Sequence, residues 1–235
     1  MVGEPHIVKS YDEQLGRLRD AVASMGGLGE KQLAAALKAL AERDGELAAQ
    51  VVAADAEVDA GEAFVNEQAV RLLVLRAPVA DDLRVVFTAL KISADLERIA
   101  DLAGNIAKRT GVLTQLAPVA PVASVGRMGR LVAELLHAVL DAYMGQDADA
   151  AMAVRDRDQE VDDLYSSLFR EILTHMMEDP RTITACIHLL FIAKNIERIG
   201  DHATNIAEMC HYLVTGRNPK GERPKRDDSP FVGAP

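Results

Sequence analysis

A polar segment of this chain is written twice, 100 residues apart. Residues 95–107 read DLERIADLAGNIA and residues 195–207 read NIERIGDHATNIA. Glu97, Arg98, Ile99, Asp101, Ala103, Asn105, Ile106 and Ala107 recur as Glu197, Arg198, Ile199, Asp201, Ala203, Asn205, Ile206 and Ala207. Upstream, Asp55 and Glu57-Val58-Asp59 answer Asp158 and Glu160-Val161-Asp162, and Asp44 answers Asp147. Core positions tolerate many apolar side chains, so packing alone rarely keeps the same polar residues in two copies. The fold is therefore two similar halves, and the duplicated polar residues point to duplicated chemistry or duplicated contacts.

The periodicity is helical throughout, with no convincing alternation of the strand kind. The clearest stripes run Val85, Ala89, Ile92, Leu96, Ile99, Ala103, Ile106 and Ala185, Leu189, Ile192, Ile196, Ile199, Ala203, Ile206. Each step is three or four residues, which makes both stripes core seams. A first helix starts near His6, is interrupted by Gly26, Gly27 and Gly29 as a kink or short break, and resumes to about residue 43. The second runs from Asp44 as N-cap to about residue 77, where Pro78 ends it. The third covers about 79–110 and is closed by Gly111. The second half repeats the plan at about 122–145, 147–178 and 181–215, with Pro180 in the place of Pro78.

The expected fold is all-α: two tandem, pseudo-symmetric three-helix bundles, 1–115 and 120–215, followed by a disordered tail at 216–235. Aromatic residues are only 4% of the chain, which suits helices packed through Ala, Leu, Val and Ile. The net charge is −10, and the tail holds five Lys/Arg against three Asp/Glu, so the helical body is more acidic still. Nucleic acid is not expected as a partner of such a body. Two cysteines form no CxxC pair, and no apolar run suits a secretory leader or a membrane span, so the expected location is cytoplasmic.

The duplicated carboxylates carry the chemistry. On a helical wheel Glu97 and Asp101 fall opposite the seam, as do Glu197 and Asp201, and each pair has i, i+4 spacing. Asp55/Asp59 and Asp158/Asp162 share that spacing on the middle helices. If middle and last helices lie side by side, four carboxylates meet in each bundle, an all-oxygen set suited to hard divalent cations or carboxylate-bridged iron. The plainer reading is surface charge, with Arg98–Asp101 and Arg198–Asp201 as i, i+3 ion pairs. His202 points about 100° away from Asp201 and is not expected to join it. Cys210 continues the seam as a small hydrophobe, and His188 lies in an apolar stretch. No nucleophile elbow, Walker loop, HExxH or ferritin-like ExxH is present, so no enzyme activity is expected.

The duplicated E-R-I-x-D-x-A-x-N-I-A segment resembles the PhoU family of phosphate-signalling proteins. So do D-x-E-V-D at Asp55–Asp59 and P-V-A-D-D-L-R at Pro78–Arg84. The resemblance spans about residues 8–215. It implies a non-enzymatic negative regulator that links a phosphate ABC transporter to a two-component system. Its implied partners are the transporter's ATPase subunit, a sensor histidine kinase and a second copy of itself, with the membrane reached only through them. It further implies an iron, zinc or other divalent cluster on Asp55, Asp59, Glu97 and Asp101, and on Asp158, Asp162, Glu197 and Asp201. Arg84, Arg98 and Arg198 are candidate partner contacts, although D-L-R has no counterpart after Pro180. Two other readings stay open: a carboxylate-cluster metalloprotein, and a related regulator of another phosphate permease or stress response.

Overall fold

The computed structural model describes residues 5–219, with side chains from residue 11 onward, so most of the expected tail lies outside the described residues. The described chain forms helices and no strand. The first half holds α1 (Pro5–Glu42), α2 (Gly45–Arg76) and α3 (Ala80–Leu113). The second holds α4 (Val122–Gly145), α5 (Ala148–Asp156), α6 (Asp158–Glu178) and α7 (Ile183–Thr215), with a 3-10 turn at Pro180–Thr182 before α7.

The repeat extends to the caps. Asp44 Oδ1 accepts from the Glu46 and Leu47 amides at 2.9 Å each, and Asp147 Oδ1 from the Asp149 and Ala150 amides at 3.0 and 2.9 Å. Each cap satisfies amides that a helix start leaves open and stabilises it by about 1 kcal/mol. Both seams are buried nearly along their whole length, with Ile92, Leu96, Ile99, Ile106, Ile192, Ile196, Ile199 and Ile206 all fully enclosed.

Two expectations need correction. First, α1 runs through Gly26, Gly27 and Gly29 as one helix, which removes the short-break alternative. Gly26 marks a close approach: a Cβ there would stand 2.7 Å from Leu140 Cδ2 on α4. Gly129 on α4 gives Leu37 of α1 the same room. Second, the helix expected over 147–178 is divided at Arg157, whose amide bonds Val154 O at 3.1 Å in a tightened turn. That turn precedes Asp158, which is drawn into the interior. A smaller difference lies at Gly111, which is helical, so that α3 reaches Leu113.

The two bundles share one core. α1 packs on α3, α3 on α7, α7 on α4 and α4 back on α1, so four helices form the centre while α2 and α5–α6 cover its flanks. α3 and α7 are antiparallel: Phe87 meets Tyr212, Asp95 meets His202 and Asn205, and Arg109 meets Phe191. α1 and α4 are antiparallel too, through Gly26–Leu140, Glu30–His137 and Leu37–Gly129. A pseudo-dyad thus passes between α3 and α7 and between α1 and α4. The outer surface of α3 and α7 makes one continuous face of the molecule.

Candidate functional site

The wheel places Glu97 and Glu197 opposite the seam, but their side chains are only 20% and 12% exposed. The reason is tertiary. α3 is covered by α1, α2 and α7, and α7 by α3, α4, α5 and α6, so most of each helix's circumference is in contact. The duplicated glutamates sit on the flanks, against the middle helix of each half.

In the first half Glu97 has its proton affinity raised, first by burial and then by Asp101, with smaller contributions from Glu62 and Asp59. Arg98 works in the other direction; it lies 3.4 Å from Glu97 and 3.2 Å from Asp101 but is itself 60% exposed. Asp59 and Asp101 thus act on Glu97 electrostatically, without forming a converged ligand set with it. Glu62 joins them without having been foreseen. Its signal was available: it stands one turn after Asp59, on the same side of α2. Asp55 turns the other way, taking a 3.4 Å hydrogen bond from Gln32 Nε2 of α1.

The second half differs at the same positions. Lys194 stands where the first half has Ala94, and its Nζ reaches Glu197 Oε1 at 2.7 Å while lying 5.2 Å from the centre of the Tyr165 ring. Tyr165 occupies the place of Glu62, three residues after Asp162. Asp158, the counterpart of Asp55, is 3% exposed and accepts from Thr204 Oγ1 at 3.1 Å. Thr204 answers Gly104, whose open α-carbon leaves Asp55 Oδ2 about a Cβ contact away, at 4.0 Å. Asp162 and Asp201 are both engaged in further interactions. Among the described residues no three His, Cys, Asp or Glu side chains converge on a metal-ligating arrangement.

Between the halves, Asp95 Oδ1 receives His202 Nδ1 at 2.7 Å and Asn205 Nδ2 at 3.2 Å. His202 is thus turned away from Asp201, as expected, but toward a partner in the other bundle that no local pattern names. A cleft of about 510 Å³ opens beside this contact, lined by Glu62 of α2, by Lys91, Asp95, Glu97 and Arg98 of α3, and by Glu208 of α7 among others. Glu208 also pairs at 3.0 Å with Arg155, which is 7% exposed. Of the candidate partner contacts, Arg84 is held at 2.6 Å by Asp81 and lies against Gly216 at the end of α7. Arg98 is paired as described. Arg198 is exposed and makes no ion pair among the described residues. Cys210 is fully enclosed, and burial pushes its thiol up to about 11, the behaviour of a packed residue and not of a nucleophile.

The sequence matches the PhoU domain twice, over residues 22–110 and 125–210. A phosphate-specific transport system accessory protein PhoU homolog of Caulobacter vibrioides is 52% identical over 223 residues, 94% of this chain and 97% of that one. The crystal structure of PhoU from Pseudomonas aeruginosa superposes with a TM-score of 0.86 at 38% identity, covering 88% of this chain and all of that one. The phosphate transport system regulatory protein PhoU from Streptococcus pneumoniae superposes with a TM-score of 0.81 at 30% identity, covering 89% of this chain and 99% of its own.

Proposed function

The chain belongs to the PhoU family, and from that premise we propose that it is an accessory protein of a phosphate-specific transport system. It acts as a non-enzymatic adaptor and negative regulator, contacting the transporter's ATPase subunit and a sensor histidine kinase when phosphate is abundant. The observation that carries this reading is full-length identity of 52% to a relative named as such an accessory protein. This reading has the protein act in the cytoplasm, at the membrane only through its partners; no described helix is long and apolar enough to cross a membrane. Deleting the gene tests it: transcripts of phosphate-starvation genes rise in rich phosphate. Continued repression in a strain without a second family member would refute the regulator role.

We further propose that the first-half carboxylates Asp59, Glu62, Glu97 and Asp101, which do not converge as a preformed ligand set, attract a divalent cation as a shared counter-ion. The support is Glu97, whose ionised form is disfavoured first by burial and then by Asp101, Glu62 and Asp59, a cost that a nearby cation would offset. In the second half the Lys194 ammonium already supplies that charge to Glu197. Bound, the cation would supply charge neutralisation and hold α2 to α3. Metal analysis of untagged protein beside Asp101→Ala and Asp201→Ala variants separates the halves. Loss of metal from the first variant alone is expected; equal loss from both would remove the distinction. A homodimer is the proposed assembly.

A further inference from the structure

The pseudo-dyad relates two stretches of the α3–α7 face that share a backbone and not a charge. On one side lie Asp59, Glu62, Asp95, Glu97, Asp101 and Glu208 with Lys91, Arg98 and the Arg155 that pairs with Glu208, six carboxylates against three cations. The equivalent positions on the other side, 100 or 103 residues away, are Asp162, Tyr165, Asn195, Glu197, Asp201 and Lys108 with Phe191, Arg198 and Val52. Lys194 and Arg109 add to that side, where Ala94 and Met209 stand on the first, giving four cations against three carboxylates. The contacts follow the same symmetry. The Arg109 guanidinium lies 4.0 Å from the centre of the Phe191 ring, and the image of that pair, Met209 and Lys91, lines the acidic cleft. Both ends of the face also expose apolar side chains at matching positions: Leu83 and Ile183 at 44% and 41%, Phe87 and Ile187 at 44% and 42%. Exposed apolar side chains that are rimmed by charge mark an association surface.

We infer that this face binds a second copy of the chain. When two copies meet through it about a dyad lying in the plane of the face, the acidic side of each covers the basic side of the other. Every charge contact is then made twice, as a closed isologous interface requires. A partner of uniform charge would meet one favourable and one unfavourable half, and like-charge juxtaposition selects against it. The inference rests on the homodimer reading above and assigns its surface and its orientation.

Charge reversal tests it, with a chelator present so that cation binding does not enter. Asp59→Lys/Glu62→Lys makes both sides basic, and Lys108→Glu/Arg198→Glu makes both sides acidic; these four positions lie at the surface or part-exposed and are remote from the core seams. Each double variant, checked for folding by circular dichroism, is expected to be monomeric by sedimentation at concentrations where the wild type is dimeric. Its dimer Kd should rise by roughly tenfold or more. Mixed in equal amounts, the two variants should form a heterodimer, visible by native mass spectrometry. A dimer that survives both reversals leaves the homodimer standing and overturns this face; variants that dissociate but fail to pair overturn the charge pattern. A wild type that is monomeric throughout overturns both.

Discussion

The two halves agree in their cores and disagree in how each carboxylate is answered. Asp55 shares Gln32 with a backbone carbonyl and stays part-exposed, whereas its counterpart Asp158 is buried under the Thr204 hydroxyl. Glu97 stands among other acids with only the exposed Arg98 at 3.4 Å, whereas Glu197 has Lys194 at 2.7 Å. The middle helix is continuous in the first half and divided at Arg157 in the second. Identical motifs therefore do not make identical sites. What surrounds Glu-x-x-x-Asp decides whether it is a reservoir of negative charge or a neutral strut.

The largest expected difference lies between Asp158 and Asp55. Asp158→Ala strips a buried hydroxyl of its acceptor and should lower stability by about 2–3 kcal/mol, against less than about 1 kcal/mol for Asp55→Ala. Urea unfolding of the two variants measures the gap, and equal losses would mean that Asp55 is held as firmly as Asp158. Next comes the Arg155–Glu208 pair, which the first half lacks, having Val52 and Lys108 at those positions. Breaking a fully buried pair costs about 3–5 kcal/mol, so Glu208→Ala, at a part-exposed carboxylate, should cost about 2 kcal/mol. Lys108→Ala should stay within about 0.5 kcal/mol.

Exchanging the counter-charges sharpens the comparison further. Ala94→Lys gives Glu97 the partner that Glu197 owns and should add about 0.3–0.5 kcal/mol in thermal unfolding, while Lys194→Ala removes a similar amount. If cations favour the crowded half, Ala94→Lys should also abolish the metal content that Lys194→Ala leaves intact or increases. The smallest effect is the pH dependence of Glu97. Its folded proton affinity is raised, so its contribution is fully present below the ordinary carboxylate value of 4.5 and is lost as pH rises through the higher folded value. Glu97→Gln should therefore raise Tm by about 1 °C at pH 7 and leave it no higher than wild type at pH 4. A constant offset across that range would assign the effect to something other than ionisation.

Much of the architecture could be read from the chain because it depends on local spacing. The seams through Ile99 and Ile199, the caps at Asp44 and Asp147 and the stop at Pro78 are short-range signals, and all are found. Gly26 misled because a glycine in a helix reads as weakness when its neighbours are unknown; Leu140, over a hundred residues away, supplies the reason for it. The break at Arg157 has no local marker, since neither proline nor glycine lies there. At the site, the Arg98–Asp101 pair could be read from i, i+3 geometry. The burial of Asp158 and the reach of His202 across to Asp95 could not, because both depend on which helices close over them.

The antiparallel embrace of α3 and α7 has a consequence for what each half is free to become. Two separate, identical bundles joined in this way would carry every substitution on both sides of their axis. A lysine at position 94 would appear at both glutamates, and an arginine at the Val52 position would need two acidic mates. Tethered in one polypeptide through residues 114–121, the copies escape that obligation. One can keep an excess of acids while the other places more cations on the same scaffold, and the molecule acquires a front and a back that its own symmetry would otherwise forbid.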